Sequence, residues 1–297
     1  MSDVPASGAV FVDSAASATA PLTAPASTSR RARILAVTSG KGGVGKTFLS
    51  ANLAAALARL GQRVLVLDAD LGLANLDVVL NLHPKVTLHD VFTGKVALDD
   101  AILAAPGGFS VLLAGSGLVE YSRLTTEVRE QLLRIIASVA PRFDHILLDT
   151  GAGISEVVLF AVSLADDVLV VTTPEPTSMT DAYATIKVLA TQQQRRAIQV
   201  IVNQVGRVGE GRGIRGQLQL VVDRFVTPML AAANEAAQAL PSAAAPTGTA
   251  VKLDLLGEVP YDLSVREAVQ KRRLLLQMLP GSAAARAVEA IAARLVP

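Results

Sequence analysis

The chain has 297 residues, 51% of them apolar and 18% charged, with no cysteine and a formal net charge of +1. This composition belongs to a folded chain rather than a disordered one. It excludes disulfides, cysteine zinc sites and iron–sulfur ligation by its own thiols, and it gives no global attraction to nucleic acid or anionic lipid.

Residues 1–30 are mostly Ala, Ser, Thr and Pro with almost no charge, which predicts a flexible tail. Asp3 without an early Lys or Arg does not read as a secretory signal, and no run reads as a transmembrane helix. Order is expected from Arg31. Residues 34–38 (ILAVT) are a continuous apolar run. A helix is predicted from Lys46 to about Leu60, with Leu49, Leu53, Ala56, Leu57 and Leu60 on one stripe and Gly61 at its end.

Further apolar runs stand at 64–67, 110–113, 145–148, 168–172, 198–202 and 253–256. Continuous rather than alternating apolarity marks strands buried on both faces. The expected fold is α/β: a doubly wound, mostly parallel sheet of about seven strands with helices on both faces, as one domain over 31–297. Two stretches are expected to interrupt it. Residues 206–216 (GRVGEGRGIRG) read as a mobile loop, and 231–250 (AAANEAAQALPSAAAPTGTA) as an inserted surface loop. In the last segment Val288, Ile291 and Leu295 make a thin stripe, which predicts a core-packed helix rather than a membrane-binding one.

Residues 40–47 (GKGGVGKT) satisfy G-x-x-x-x-G-K-[ST] between an apolar strand and a helix. The amides around Gly42, Gly43, Val44 and Gly45 are expected to wrap a phosphate at a helix N-terminus. Lys46 should contact the β- and γ-phosphates, and Thr47 should ligate Mg²⁺. LVLDAD puts Asp68 and Asp70 just past one strand, and ILLDTGAG puts Asp149 just past another. Ligands in such sheets lie at the C-terminal strand ends. Asp149 is therefore expected to hold the magnesium shell, and Asp70 to border the metal and orient a water for in-line attack.

KGGVGKT, with Lys41 as a second lysine, resembles the deviant Walker A loop of the MinD/ParA ATPases. DADLGLANLD (68–77), LLDTGAGI (147–154), VTTPEPTSMTDAYATIKVL (171–189), IVNQV (201–205) and GEVPYDLSVREAVQ (257–270) resemble further segments of that superfamily. Within it the likeness is to the FlhG/FleN branch, which controls flagellar number and placement. The resemblance implies an ATP- and magnesium-dependent homodimer in which Lys41 reaches the partner subunit's phosphates, stabilising transition-state charge. It implies that Asn203 reads the adenine edge and that Pro260 forms the other side of the base pocket. Glu175 would be an acid near the nucleotide and the dimer interface, and Asn75 and Asp77 would lie in a switch region.

Phe48 departs from the family form KGGVGKTT, where a hydroxyl stands. Its contribution to nucleotide binding is expected through its backbone. No DQA-type segment that stimulates the FlhF GTPase is found in residues 1–30. The resemblance implies slow, partner-regulated ATPase activity in the cytoplasm. Its partners would be a FlhF-type GTPase, a flagellar transcription factor or switch-complex proteins. Weak peripheral contact at the inner face of the membrane or the pole stays open, and no specific nucleic acid is expected. The alternatives are a DNA-binding partition ATPase of the ParA kind, through Arg207, Arg212, Arg215 and Arg224, or a membrane-cycling division-site MinD.

Overall fold

The computed structural model describes residues 31–71, 74–115, 124–238 and 248–296. The expected tail at 1–30 lies outside the described residues. From Arg31 on, the chain is one compact unit.

Its strands are β1 (Arg33–Ser39), β2 (Val64–Ala69), β3 (Ile102–Ala104), β4 (Ser110–Leu112), β5 (His145–Ala152), β6 (Asp167–Thr172), β7 (Ala197–Val205) and β8 (Lys252–Pro260). They form one sheet in the order β3-β4-β2-β5-β1-β6-β7-β8. Every pair is parallel except β3 with β4. All seven expected apolar runs are strands. The eighth, β3, is a three-residue antiparallel strand at the sheet edge. It is too short for a periodic signal and lacks the two-sided burial that marks the others.

The helices are α1 (Lys46–Arg59), α2 (Leu76–Leu80), α3 (Leu88–Phe92), α4 (Leu98–Ala101), α5 (Thr126–Val139), α6 (Glu156–Ser163), α7 (Pro176–Gln192), α8 (Glu210–Gln238), α9 (Leu263–Gln270), α10 (Leu275–Met278) and α11 (Ala283–Leu295). They divide between the sheet faces. Ile34 and Ala36 of β1 join the apolar layer under α5, α6, α7 and α8, while Leu35 and Val37 join the layer under α1, α10 and α11. Two-sided burial is why these strands read as unbroken apolar runs. α11 is core-packed as expected, with Val288, Ile291 and Leu295 buried.

Both expected loops are corrected in part. In the glycine- and arginine-rich stretch, helix α8 already begins at Glu210. Glu258 accepts the Gly209 and Gly211 amides at 2.6 and 2.8 Å, and Ile214 and Leu218 are buried on the sheet. Tertiary packing overrides the low helix propensity of glycine here. The same helix continues through residues 231–238, the first part of the expected insertion, because alanine is a strong helix former even after Pro228. Residues 239–247 lie outside the described residues.

Candidate active site

β1 ends at Ser39 and α1 begins at Lys46, so residues 40–45 turn the chain at the C-terminal edge of the sheet. Gly45, the residue before α1, has φ 95°, a left-handed conformation that suits glycine. Gly40 passes so close to α7 that a Cβ there would stand 2.1 Å from the Asp181 carbonyl oxygen. Because the cap is a glycine, no side-chain cap bonds the first amides of α1, and among the described residues no side chain accepts from those of Lys46, Thr47 and Phe48. Over Gly42 and Gly43 there is open space. Uncapped amides under an open concavity at a helix N-terminus suit an anion.

Lys46 is 9% exposed, and its Nζ donates to Ser39 Oγ at 2.9 Å. Among the described residues no carboxylate pairs with it. Burial lowers its pKa, opposed by the charges of Asp149 and Asp70. A desolvated ammonium held by a hydroxyl is poorly compensated, and an incoming phosphate would supply the missing charge.

Asp149 is buried inside β5 rather than just past its end, and Ser50 Oγ donates to Oδ1 at 2.9 Å. Burial pushes its carboxyl up to about 6, against hydrogen bonds from Thr47 and Ser50 and the charge of Lys46. Asp68, the register neighbour of Asp149 on β2, is also buried. Desolvation, reinforced by Asp149, raises its pKa well above the usual range. Its two oxygens accept the amides of Asp70, at 3.2 Å, and of Leu76, at 3.4 Å. The Asp70 carboxylate lies against Gly151, where a Cβ would stand 3.3 Å from it. Strands β2 and β5 thus bring Asp70 and Asp149 to one side of Lys46.

Hydroxyl and carboxylate oxygens are hard donors suited to Mg²⁺. Among the described residues there is no all-protein cluster of metal-binding acids or histidines. Thr47 and Asp149 fit an ion whose remaining positions come from phosphate oxygens and water.

Lys41 was expected to reach a partner. In the single chain its Nζ lies 2.7 Å from Glu175 Oε2 and 2.9 Å from Thr177 Oγ1, both at the start of α7. Glu175 is the N-cap residue of α7, yet its side chain makes no capping bond. Asn203 lies on β7 beside the end of β8, which terminates at Pro260, so the two expected base-pocket residues stand on adjacent strands. The Asn203 amide also braces the loop, with Nδ2 donating to Val44 O at 2.8 Å and Oδ1 accepting the Gln204 amide.

The Phe48 side chain is taken up by the core: the residue is 7% exposed and joins the apolar layer under α1, which leaves its amide as the group available to an anion.

The sequence did not point to Ser39 or Ser50, and it placed Thr177 only at the opening of a helix, not on Lys41. Ser50 carried a usable signal, since it lies one helical turn beyond Thr47 on the same face. Ser39 and Thr177 had none, because their partners are Lys46 and Lys41 across a turn or another element.

Comparison with known proteins agrees with this geometry. A family model described as an AAA domain matches residues 32–201. The antiactivator FleN of Pseudomonas aeruginosa is 41% identical over 260 residues, covering 88% of this chain and 85% of that protein. The flagellum site-determining protein YlxH of Helicobacter pylori is 31% identical, covering 89% of this chain and 82% of that one. Among solved structures, septum site-determining MinD of Pyrococcus horikoshii, complexed with Mg-ADP, superposes with a TM-score of 0.68 at 26% identity, over 89% of this chain and 96% of that chain.

Proposed function

The chain belongs to the MinD/ParA family of P-loop ATPases, near its FlhG/FleN branch, and on that premise we propose that it is an ATP-driven dimerising switch that regulates flagellar number or placement. One observation carries the ATPase reading: a buried Lys46, with no carboxylate in direct contact among the described residues, at the uncapped start of α1.

In this reading the amides of residues 42–48 and Lys46 hold the β- and γ-phosphates of ATP. Thr47 and Asp149 hold Mg²⁺, which when bound withdraws charge from the phosphate oxygens. Asp70 accepts a hydrogen bond from a water and aligns it in line with the γ-phosphorus. The new bond joins the water oxygen to phosphorus as the bond to the bridging oxygen of ADP breaks, and Lys46 stabilises the charge on the departing ADP. Lys41 leaves Glu175 and Thr177 to approach the γ-phosphate of a second copy, which ties dimerisation to ATP. Asn203 and Pro260 border the adenine. Slow hydrolysis ends the dimer state and releases flagellar partner proteins.

The enzymatic test is ATP turnover and ATP-dependent sedimentation of the wild-type, Lys46→Ala and Lys41→Ala proteins. Lys46→Ala should bind no nucleotide. Lys41→Ala should bind ATP but lose dimerisation and turnover; full retention of both removes the trans role. The cellular test is deletion of the gene with a count of flagella per cell. An unchanged count with a chromosome-segregation defect would favour the ParA-type reading and leave the ATPase intact.

A further inference from the structure

The sheet ends on β8, which has no neighbouring strand on its outer side among the described residues. Two side chains take the place of one. Gln219 of α8 donates to Val251 O and accepts from Leu253 N, both at 2.8 Å. Arg294 of α11 donates to Leu256 O at 2.7 Å and Leu255 O at 3.4 Å. Alongside this edge runs an open groove of about 860 Å³.

The two walls of the groove differ. On one side stand Arg212 and Arg215 of α8, neither with a carboxylate partner among the described residues. On the other are Ala287, Ala290 and Arg294 of α11, with Ile291 buried beneath Gly257. The acids within reach are already engaged: Asp254 pairs with Lys252 at 2.9 Å, and Glu258 holds the Gly209 and Gly211 amides.

We propose that this groove takes an extended acidic segment of a partner protein, added to β8 as a further strand. Successive side chains of a strand point to opposite sheet faces. α8 covers one face and α11 the other. A strand seated here would turn one set of side chains to Arg212 and Arg215 and the alternate set to Ala287 and Ala290. The segment recognised is therefore one in which acidic and apolar residues alternate. Its main chain would take over the bonds that Gln219 and Arg294 now make.

A strand edge bonded only by side chains, beside a wall of alanines, favours a peptide over nucleic acid, which has no strand to pair and would bring phosphates against Asp254 and Glu258. The inference does not rest on the proposed ATPase activity, since neither wall includes a residue of the phosphate loop.

The test is fluorescence anisotropy on the full chain without nucleotide, using labelled Ac-EVEVEVE-NH2. Saturable binding is expected, about tenfold weaker to the Arg212→Glu/Arg215→Glu protein and also weakened by Ala290→Glu on the opposite wall. The double variant should instead prefer Ac-KVKVKVK-NH2. Thermal melting verifies that each variant is folded. Replacing the central valine of the probe by proline, which removes a ladder donor, should abolish binding.

Three results would each overturn the proposal. One is no binding of the alternating peptide at about millimolar concentration. Another is equal binding of EEEEVVV, which has the same composition without alternation. The third is tighter binding of a short DNA duplex that is lost in the double arginine variant.

Discussion

Lys41 and Glu175 are bonded within one chain, Nζ to Oε2 at 2.7 Å, at the spot where the phosphate loop meets the start of α7. The pair is solvated, with side-chain exposures of 37% and 64%, so it is weak. A lysine committed to its own chain cannot also serve a second copy, and the internal pair competes with any use across a dimer. Glu175→Ala should therefore strengthen ATP-dependent self-association by about two- to fivefold, measured by sedimentation velocity with ATP and Mg²⁺. Unchanged or weaker association would show that Glu175 is not a competitor.

Lys46 is a buried cation with no carboxylate in direct contact among the described residues, and Asp149 and Asp70 only oppose its desolvation, so the fold without nucleotide gains little from it. Lys46→Ala should abolish nucleotide binding. Its unfolding free energy without nucleotide should stay close to the wild-type value, since relief of desolvation is offset by the lost attraction of Asp149 and Asp70. A drop of more than about 1 kcal/mol in unfolding free energy would contradict this.

Phe48→Thr restores the hydroxyl usual in the family but removes a ring from the layer under α1. The expected cost is about 3–5 kcal/mol, the range for truncating a buried phenylalanine, read by urea unfolding. Nucleotide affinity should change little, because only the amide of Phe48 faces the loop.

Asp149, raised to about 6 by burial, carries a proton more readily in the fold than in the unfolded chain. A metal needs the charged form. Magnesium-dependent nucleotide affinity should hold above pH 6 and fall by up to about tenfold per unit below it. The same sign means that nucleotide-free stability declines as pH rises from the unfolded carboxyl value, near 4, to about 6. Ser50→Ala removes a hydrogen bond to the charged form and should move the affinity break to higher pH. Calorimetric titration between pH 5 and 8 reads both effects.

Asp144 shows the opposite sign. Arg63 grips it with the side chain and the backbone amide, holding its carboxyl down to about 2. This contribution is fully present above the unfolded carboxyl value and is lost as pH falls toward 2. Asp144→Asn should destabilise the protein at neutral pH, with the difference from wild type shrinking in acid, as followed by thermal melts from pH 2 to 7.

The sequence by itself determined the seven parallel strands, the phosphate turn and the principal carboxylates. These depend on local patterns, namely unbroken apolarity from two-sided burial and a glycine spacing that only a tight strand–helix turn requires. Tertiary structure decided the rest. Glu258 and the sheet made a helix start of a glycine-rich stretch that reads locally as a loop. Packing under α1 claimed the Phe48 ring, for which the motif alone offered no place. The hold of Glu175 on Lys41, 134 residues apart in sequence, and the bracing of the loop by Asn203 follow from the order of strands in the sheet. That order is set by which surfaces pack together, and no local period encodes it.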